Sequence, residues 1–299
     1  MMKTQSRSIP VILDTDIGTD IDDTWALAML LRSPEVDIRL VVSDTGNTDY
    51  RAAILARLLE VAGRTDIPVG IGLRQHDITG PQETWVEGYD LAAYPGKLHR
   101  DGVGAIIETI EQSPDPVTLI CIGPMPNIAE ALRRAPGIAA KARFVGMHGS
   151  IHKQHGGELG AIAEYNVQQD IRACQAVFTA PWRDMTITPL DTCGVVRLRG
   201  SRYQAITGST APLLQAVIEN YRIWLNGKPD MESSILFDTV AIHLAYSTEF
   251  LVMEDMGIRV TDEGYTVPDR TCRRMHVALD WADLDGYETS LVSRLTTVP

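Results

Sequence analysis

The chain has 299 residues, 44% hydrophobic and 22% charged, enough to bury a sizeable core in one large α/β domain or two smaller ones. Its formal net charge of −12 argues against nonspecific attachment to nucleic acid or anionic membrane, since both need clustered cations to displace counterions. Nowhere do eighteen apolar residues run together, and the opening MMKTQSRSIP has no apolar signal core, so the expectation is a cytoplasmic protein without secretory signal or membrane span.

In chain order, short apolar runs alternate with amphipathic stretches: a strand at Pro10–Leu13, a helix at Thr24–Leu31, a strand at Asp37–Val42, a helix at Ala52–Ala62 and a strand at Ile67–Ile71. Residues 73 to 102, rich in Gly, Pro and polar groups, read equally well as an active-site flap or a surface excursion. The alternation resumes with Val117–Ile122 and Asn127–Arg134, then Arg143–Met147 and Ile171–Thr179, with a last strand at Met185–Thr188. Helices follow at Ala211–Leu225 and Phe237–Tyr246, and the tail (Gly257–Val267, Met275–Trp281) alternates like a hairpin. Repeated β-α order predicts an open, mainly parallel, Rossmann-like sheet with helices on both faces, in a single domain over residues 1–299. Such sheets bind ligands at the carboxyl ends of their strands, where the loops DTDIGTDIDD, SDTGN, GPMPN and MHGSIHKQHGGELGAIAEYN converge. Cys121, Cys174, Cys193 and Cys272 form no CxxC pair and read as buried free thiols.

The stretch VILDTDIGTDIDD carries five carboxylates: Asp14, Asp16, Asp20, Asp22 and Asp23. One aspartate at a helix start is ordinarily a cap worth about 1 kcal/mol. Four more exceed that need, and carboxylates this close either neutralise by raised pKa or share a cation. With no His or Cys in the stretch, the oxygen-only set points to a hard ion, Ca²⁺ or Mg²⁺. It is not an EF-hand loop, because Thr19 and Trp25 stand where that loop needs Gly and Glu.

ILDTDIGTDIDDTWAL resembles the N-terminal signature of the calcium-dependent nucleoside hydrolases, the inosine-uridine-preferring N-ribohydrolases. Further segments resemble that family in the same order: VVSDTGN, IGPMPNIAEAL, AEYNVQQDIRAC and FDTVAIHLAY. The resemblance implies hydrolysis of the N-glycosidic bond of ribonucleosides to base and ribose, with Ca²⁺ as cofactor, in a homodimer or homotetramer. Asp16 then binds the ion and acts as general base toward a water on it, with Asp23, Asp238 and the carbonyl of Ile122 as further ligands. Asp22, Asn47, Glu164, Asn166 and Asp238 fall at sugar-holding positions, and Asp14 fixes the loop. Two residues, Asp20 and Ile21, are extra relative to the family. Asp20 keeps the family spacing from Asp16, whereas Asp22 and Asp23 keep its contact with the helix, and the helix register is favoured because it sets side-chain direction. Glu158 falls near a position that meets the 5′-hydroxyl.

Phe237 stands where purine-capable members carry a His linked to leaving-group protonation. Other sources of that proton are His76, His99, His148, His152 and His155 in the two long loops, with His99 in a segment like the family's flap. Trp85, Tyr221 and Trp224 are candidates for stacking on a base. Two rival readings remain. LDTDIGT also resembles the DxDxT of haloacid-dehalogenase-like phosphatases, with Asp14 as nucleophile, although Lys97, Lys141 and Lys153 lack a convincing strand-end context. The other rival is a calcium-dependent nucleoside- or sugar-binding protein without turnover.

Overall fold

The computed structural model describes residues 8–297. Its first half runs β1 (Ile9–Thr15), α1 (Asp22–Leu31), β2 (Val36–Ser43), α2 (Thr48–Val61), β3 (Val69–Ile71), α3 (Glu83–Val86), β4 (Leu98–His99), α4 (Gly102–Gln112), β5 (Val117–Cys121) and α5 (Pro126–Arg134). There follow α6 (Ile138–Lys141), β6 (Ala142–Met147), α7 (Tyr165–Gln169), α8 (Ile171–Thr179) and β7 (Asp184–Thr188). The remainder is α9 (Leu190–Cys193), α10 (Gly200–Thr207), α11 (Pro212–Leu225), α12 (Phe237–Leu244), β8 (Leu251–Val260), β9 (Thr266–Pro268), β10 (Arg274–Trp281) and α13 (Leu284–Thr296).

Among the described residues ten strands form one sheet in the order β4-β3-β2-β1-β5-β6-β7-β10-β8-β9. It is parallel from β4 through β10, and β8 and β9 close the far edge antiparallel. Strand β1 is apolar on both faces because both are covered: Val11 and Leu13 join one core cluster and Ile12 the other. Between β1 and β5 the order reverses, which opens a crevice at their carboxyl ends. Helix α1 is buried from Asp22 to Leu30, as a helix apolar around most of its circumference must be. It packs against α11, α12 and α13, so its N-terminus is fixed from several sides.

The expected elements lie where the apolar runs placed them, with some differences in what surrounds them. Met185–Thr188 is not the last strand: β10 pairs parallel with β7 and brings β8 with it, so the tail extends the main sheet. The expected run Gly257–Val267 is divided between β8 and β9 by a turn at Thr261–Tyr265, where the Thr261 N–H donates to the Tyr265 carbonyl at 2.8 Å. Helices α10 and α13 went unanticipated because they bury few side chains, in α13 only Tyr287, Leu291 and Leu295. Residues 73–102 form a packed excursion: Trp85 is buried, and the Gln82 amide donates to Thr24 Oγ1 at 3.1 Å and Asn220 Oδ1 at 2.8 Å. All four cysteines are free, three of them buried and Cys272 half-buried. Among the described residues no helix is long and apolar enough to cross a membrane.

Candidate active site

Two helix N-termini meet in the crevice. The cap position of α1 is Ile21, which makes no side-chain cap, so Asp22 and Asp23 are the first two helical residues and no aspartate is consumed as a cap. Asp238 is likewise the second residue of α12. Carboxylate oxygens of Asp22, Asp23 and Asp238 lie within 4.8 Å of one another, and each residue is at most 4% exposed. Both helix termini favour negative charge there, through the partial positive charge of their unpaired N–H groups.

The loop from β1 to α1 adds Asp16 beside this trio. Gly18, at φ +110, makes the bend, and a Cβ there would come within 2.7 Å of the Tyr50 ring. Arg51 holds the loop: its guanidinium donates to the Ile17 carbonyl at 2.9 Å, the Thr19 hydroxyl at 2.9 Å and the Thr45 carbonyl at 3.0 Å. It is also 4.0 Å from Asp16. Nothing in its sequence context distinguished this arginine, since its role arises from a contact between two loops.

Burial raises the pKa of Asp16, while the charge of Arg51 opposes the rise. For Asp22, Asp23 and Asp238 burial is the largest cause, and the neighbouring carboxylates push them well above the usual range. With their oxygens this close and buried, the three carboxyls favour taking up protons or a cation over standing together as three free charges. Thr15 Oγ1 donates to Asp23. A divalent cation would offset most of the trio's charge in place of protons. The donor set, carboxylate oxygens with the Ile122 carbonyl at the end of β5, suits a hard ion.

Glu164 and Asn166 face the same cleft from the start of α7. Glu164 accepts from the backbone N–H of Asn166 at 2.7 Å, Val167 at 3.2 Å and Gly149 at 3.0 Å, and burial pushes its pKa to about 7. Asn166 donates to the carbonyls of Ile122 and Met147, each at 3.1 Å, tying α7 to the strand ends. The cleft holds about 600 Å³. Above its acidic floor the wall is apolar and aromatic, with Met147, Ile162, Leu190, Trp224 and Phe237. Tyr221 does not line the cleft but stacks under Trp224, with ring centroids 5.9 Å apart.

Several expected residues lie elsewhere. Asn47 is outside the lining: its oxygen caps α2 through the Tyr50 N–H at 3.2 Å, and its amide donates to the Asp77 carbonyl at 3.0 Å. Glu158 is exposed and accepts from the Gln154 amide at 3.0 Å instead of reaching inward. His99 sits on β4, away from the lining, and Trp85 packs under Arg57 and donates to Glu219. His76 lies against Gly46, and His152 is exposed outside the lining. His148 is buried with Nε2 2.9 Å from the Gly123 carbonyl, and burial depresses its pKa to about 3. Of the five loop histidines only His155 lines the cleft.

Asp14 is wholly buried beneath the site, accepting from the Asn127 amide at 2.9 Å, and burial pushes its pKa to about 7. It cannot present a nucleophile to the cleft, which removes the basis of the phosphatase reading. Asn127 also donates to the Ser43 carbonyl at 3.1 Å and accepts from the Leu73 N–H at 2.9 Å, so one amide joins the ends of three strands. Asp44 is a further wholly buried carboxylate, and burial together with neighbouring Asp14 and Asp16 pushes its pKa well above the usual range. Asp20 is exposed at the rim, one oxygen accepting from the Ile21 N–H at 2.7 Å.

A model of the inosine-uridine preferring nucleoside hydrolases matches residues 11–290. The chain belongs to this family. The pyrimidine-specific ribonucleoside hydrolase RihA of Salmonella arizonae is 34% identical over 182 residues, an alignment spanning 57% of this chain and 57% of that relative. A probable uridine nucleosidase 1 of Oryza sativa subsp. japonica is 25% identical over 97% of this chain and 93% of its own. Among solved structures, a plant nucleoside hydrolase superposes with a TM-score of 0.80 at 22% identity, covering 98% of this chain and all of that one. The described residues thus share the fold of the nucleoside hydrolase structures, an open, mainly parallel sheet with its cleft at the β1–β5 reversal.

Proposed function

We propose that this chain hydrolyses the N-glycosidic bond of ribonucleosides, releasing base and ribose, with Ca²⁺ as its cofactor and residues 1–299 acting as one domain. The observation that carries the proposal is the meeting of Asp22, Asp23 and Asp238 at two helix N-termini, beside Asp16, on the floor of a cleft with aromatic walls. Breaking this bond leaves an oxocarbenium-like sugar, so a site must stabilise positive charge, hold hydroxyls and deliver water. Acidic residues below and aromatic ones above divide that work.

Asp22, Asp23, Asp238 and the Ile122 carbonyl are the proposed metal ligands, with Asp16 at their edge. This adds Asp22 to the ligands expected from sequence and moves Asp16 toward the base role. A bound calcium ion supplies an anchor for vicinal sugar hydroxyls and lowers the pKa of a nearby water. Asp16, with Arg51 beside it, accepts the proton of the water attacking C1′. Glu164 and Asn166 hold the sugar from the opposite side. Their partners are already fixed by backbone hydrogen bonds, so little ordering remains to be paid on binding.

The test is Asp16→Ala assayed for reducing sugar released from uridine and inosine. Loss of release with an unchanged melting temperature supports the base role, and retained turnover refutes it. Nucleoside binding by the wild type without any sugar release would instead favour the non-catalytic binding protein.

A further inference from the structure

We infer that His155 is the acid that protonates the departing base, an inference that rests on the nucleoside-hydrolase reading above. When the C1′–N bond breaks, its electron pair passes to the base nitrogen, and an anionic base is a poor leaving group unless a proton arrives with it. The carboxyls of Asp16, Asp22, Asp23 and Asp238 serve the ion and the water, those of Glu164 and Asp20 accept from backbone N–H groups, and Phe237 has no proton to give. His155 is the one imidazole on the lining, and it shares the wall with Ile162, Leu190, Trp224 and Phe237.

The loop carrying His155 is fixed although its side chain is exposed. The Asp191 carboxylate accepts from the backbone N–H groups of Ile151 at 2.8 Å, His152 at 2.7 Å and Lys153 at 3.2 Å. The Gly156 N–H donates to the Gly194 carbonyl at 2.8 Å. Gly194 permits this approach, since a Cβ there would stand 3.1 Å from the His155 Cα and 2.5 Å from the Leu190 carbonyl. Among the described residues the His155 ring makes no hydrogen bond, so both nitrogens are free for a ligand.

The step balances. The imidazolium N–H bond of His155 breaks and its proton joins the base nitrogen as the C1′–N bond opens; water oxygen bonds to C1′, and Asp16 takes the water's proton. Solvent then reprotonates His155, which its exposure permits, and removes the proton from Asp16.

The experiment compares wild type, His155→Ala and His155→Gln on uridine, on inosine and on p-nitrophenyl β-D-ribofuranoside, whose phenolate departs without a proton. The expected result is a loss in kcat of roughly 10²–10⁴-fold on both nucleosides in both variants, with the nitrophenyl riboside cleaved as by wild type. Equal losses on all three substrates, or no loss on any, would overturn the assignment. A wild type that cleaves none of the three would overturn the nucleoside-hydrolase reading itself, and a normal melting temperature in the variants excludes misfolding as a cause.

Discussion

Replacing Asp238 with Asn should stabilise the calcium-free protein, which is opposite to the usual effect of changing a buried residue. Asn keeps the shape of Asp and can donate to Asp22 without borrowing a proton. At an effective dielectric constant near 20, two unit charges 4.8 Å apart repel by about 3.5 kcal/mol. Asp238 faces two such neighbours, and the upward pKa shift across the trio already relieves part of that repulsion. A net gain of about 1–2 kcal/mol remains, equivalent to roughly 2–4 °C in Tm per kcal/mol for a chain of a few hundred residues. Calcium should reverse the order. A hundred-fold loss of affinity removes about 2.7 kcal/mol of ligand stabilisation at saturation. Thermal melts of both proteins in EGTA and in excess calcium test this. The reasoning fails if the metal-free variant melts below wild type, or if calcium raises both Tm values equally.

Other outcomes follow from the same geometry. Asp14 and Glu164 have folded pKa values near 7, above their usual 3.8 and 4.5, so the metal-free fold binds protons more tightly than the unfolded chain. That contribution is complete below about pH 4 and is lost as the pH rises to 7, on the order of 4 kcal/mol for Asp14. Melts in EGTA from pH 4.5 to 8 should fall accordingly, and Asp14→Asn should flatten the slope; a Tm that climbs over this range contradicts the assignment. Asp20→Asn should leave calcium affinity within about two-fold of wild type, whereas Asp22→Asn should lower it at least ten-fold, as titration calorimetry can show. Equal effects would restore the other register of the insertion. Phe237→His places an imidazole at the aromatic wall and should shift the inosine-to-uridine ratio of kcat/KM; an unchanged ratio separates that position from base recognition.

The sheet and its active edge were legible in the sequence because a parallel strand covered on both faces leaves a near-continuous apolar run, and such runs mark β1, β2, β5 and β6. The aspartates announced themselves by local density, and the helix starts after Ile21, which puts Asp22 and Asp23 in its first turn. What the sequence concealed were roles created by distant contacts. Asn47 has the composition of a sugar ligand but is occupied at the start of α2. Arg51 lies within an ordinary helix, yet its side chain ties two loops and supplies the cation nearest Asp16. Of the five loop histidines, sequence marked out only His99, by its flap-like segment, whereas in the fold it is His155 that lines the cleft.

Ribose release from a panel of purine and pyrimidine nucleosides, assayed with added calcium and again in EGTA, tests the central claim most directly. Rapid release from at least one nucleoside with calcium, abolished by EGTA and restored by calcium, is the predicted result. Undiminished release in EGTA, or none from any nucleoside in calcium, would contradict it.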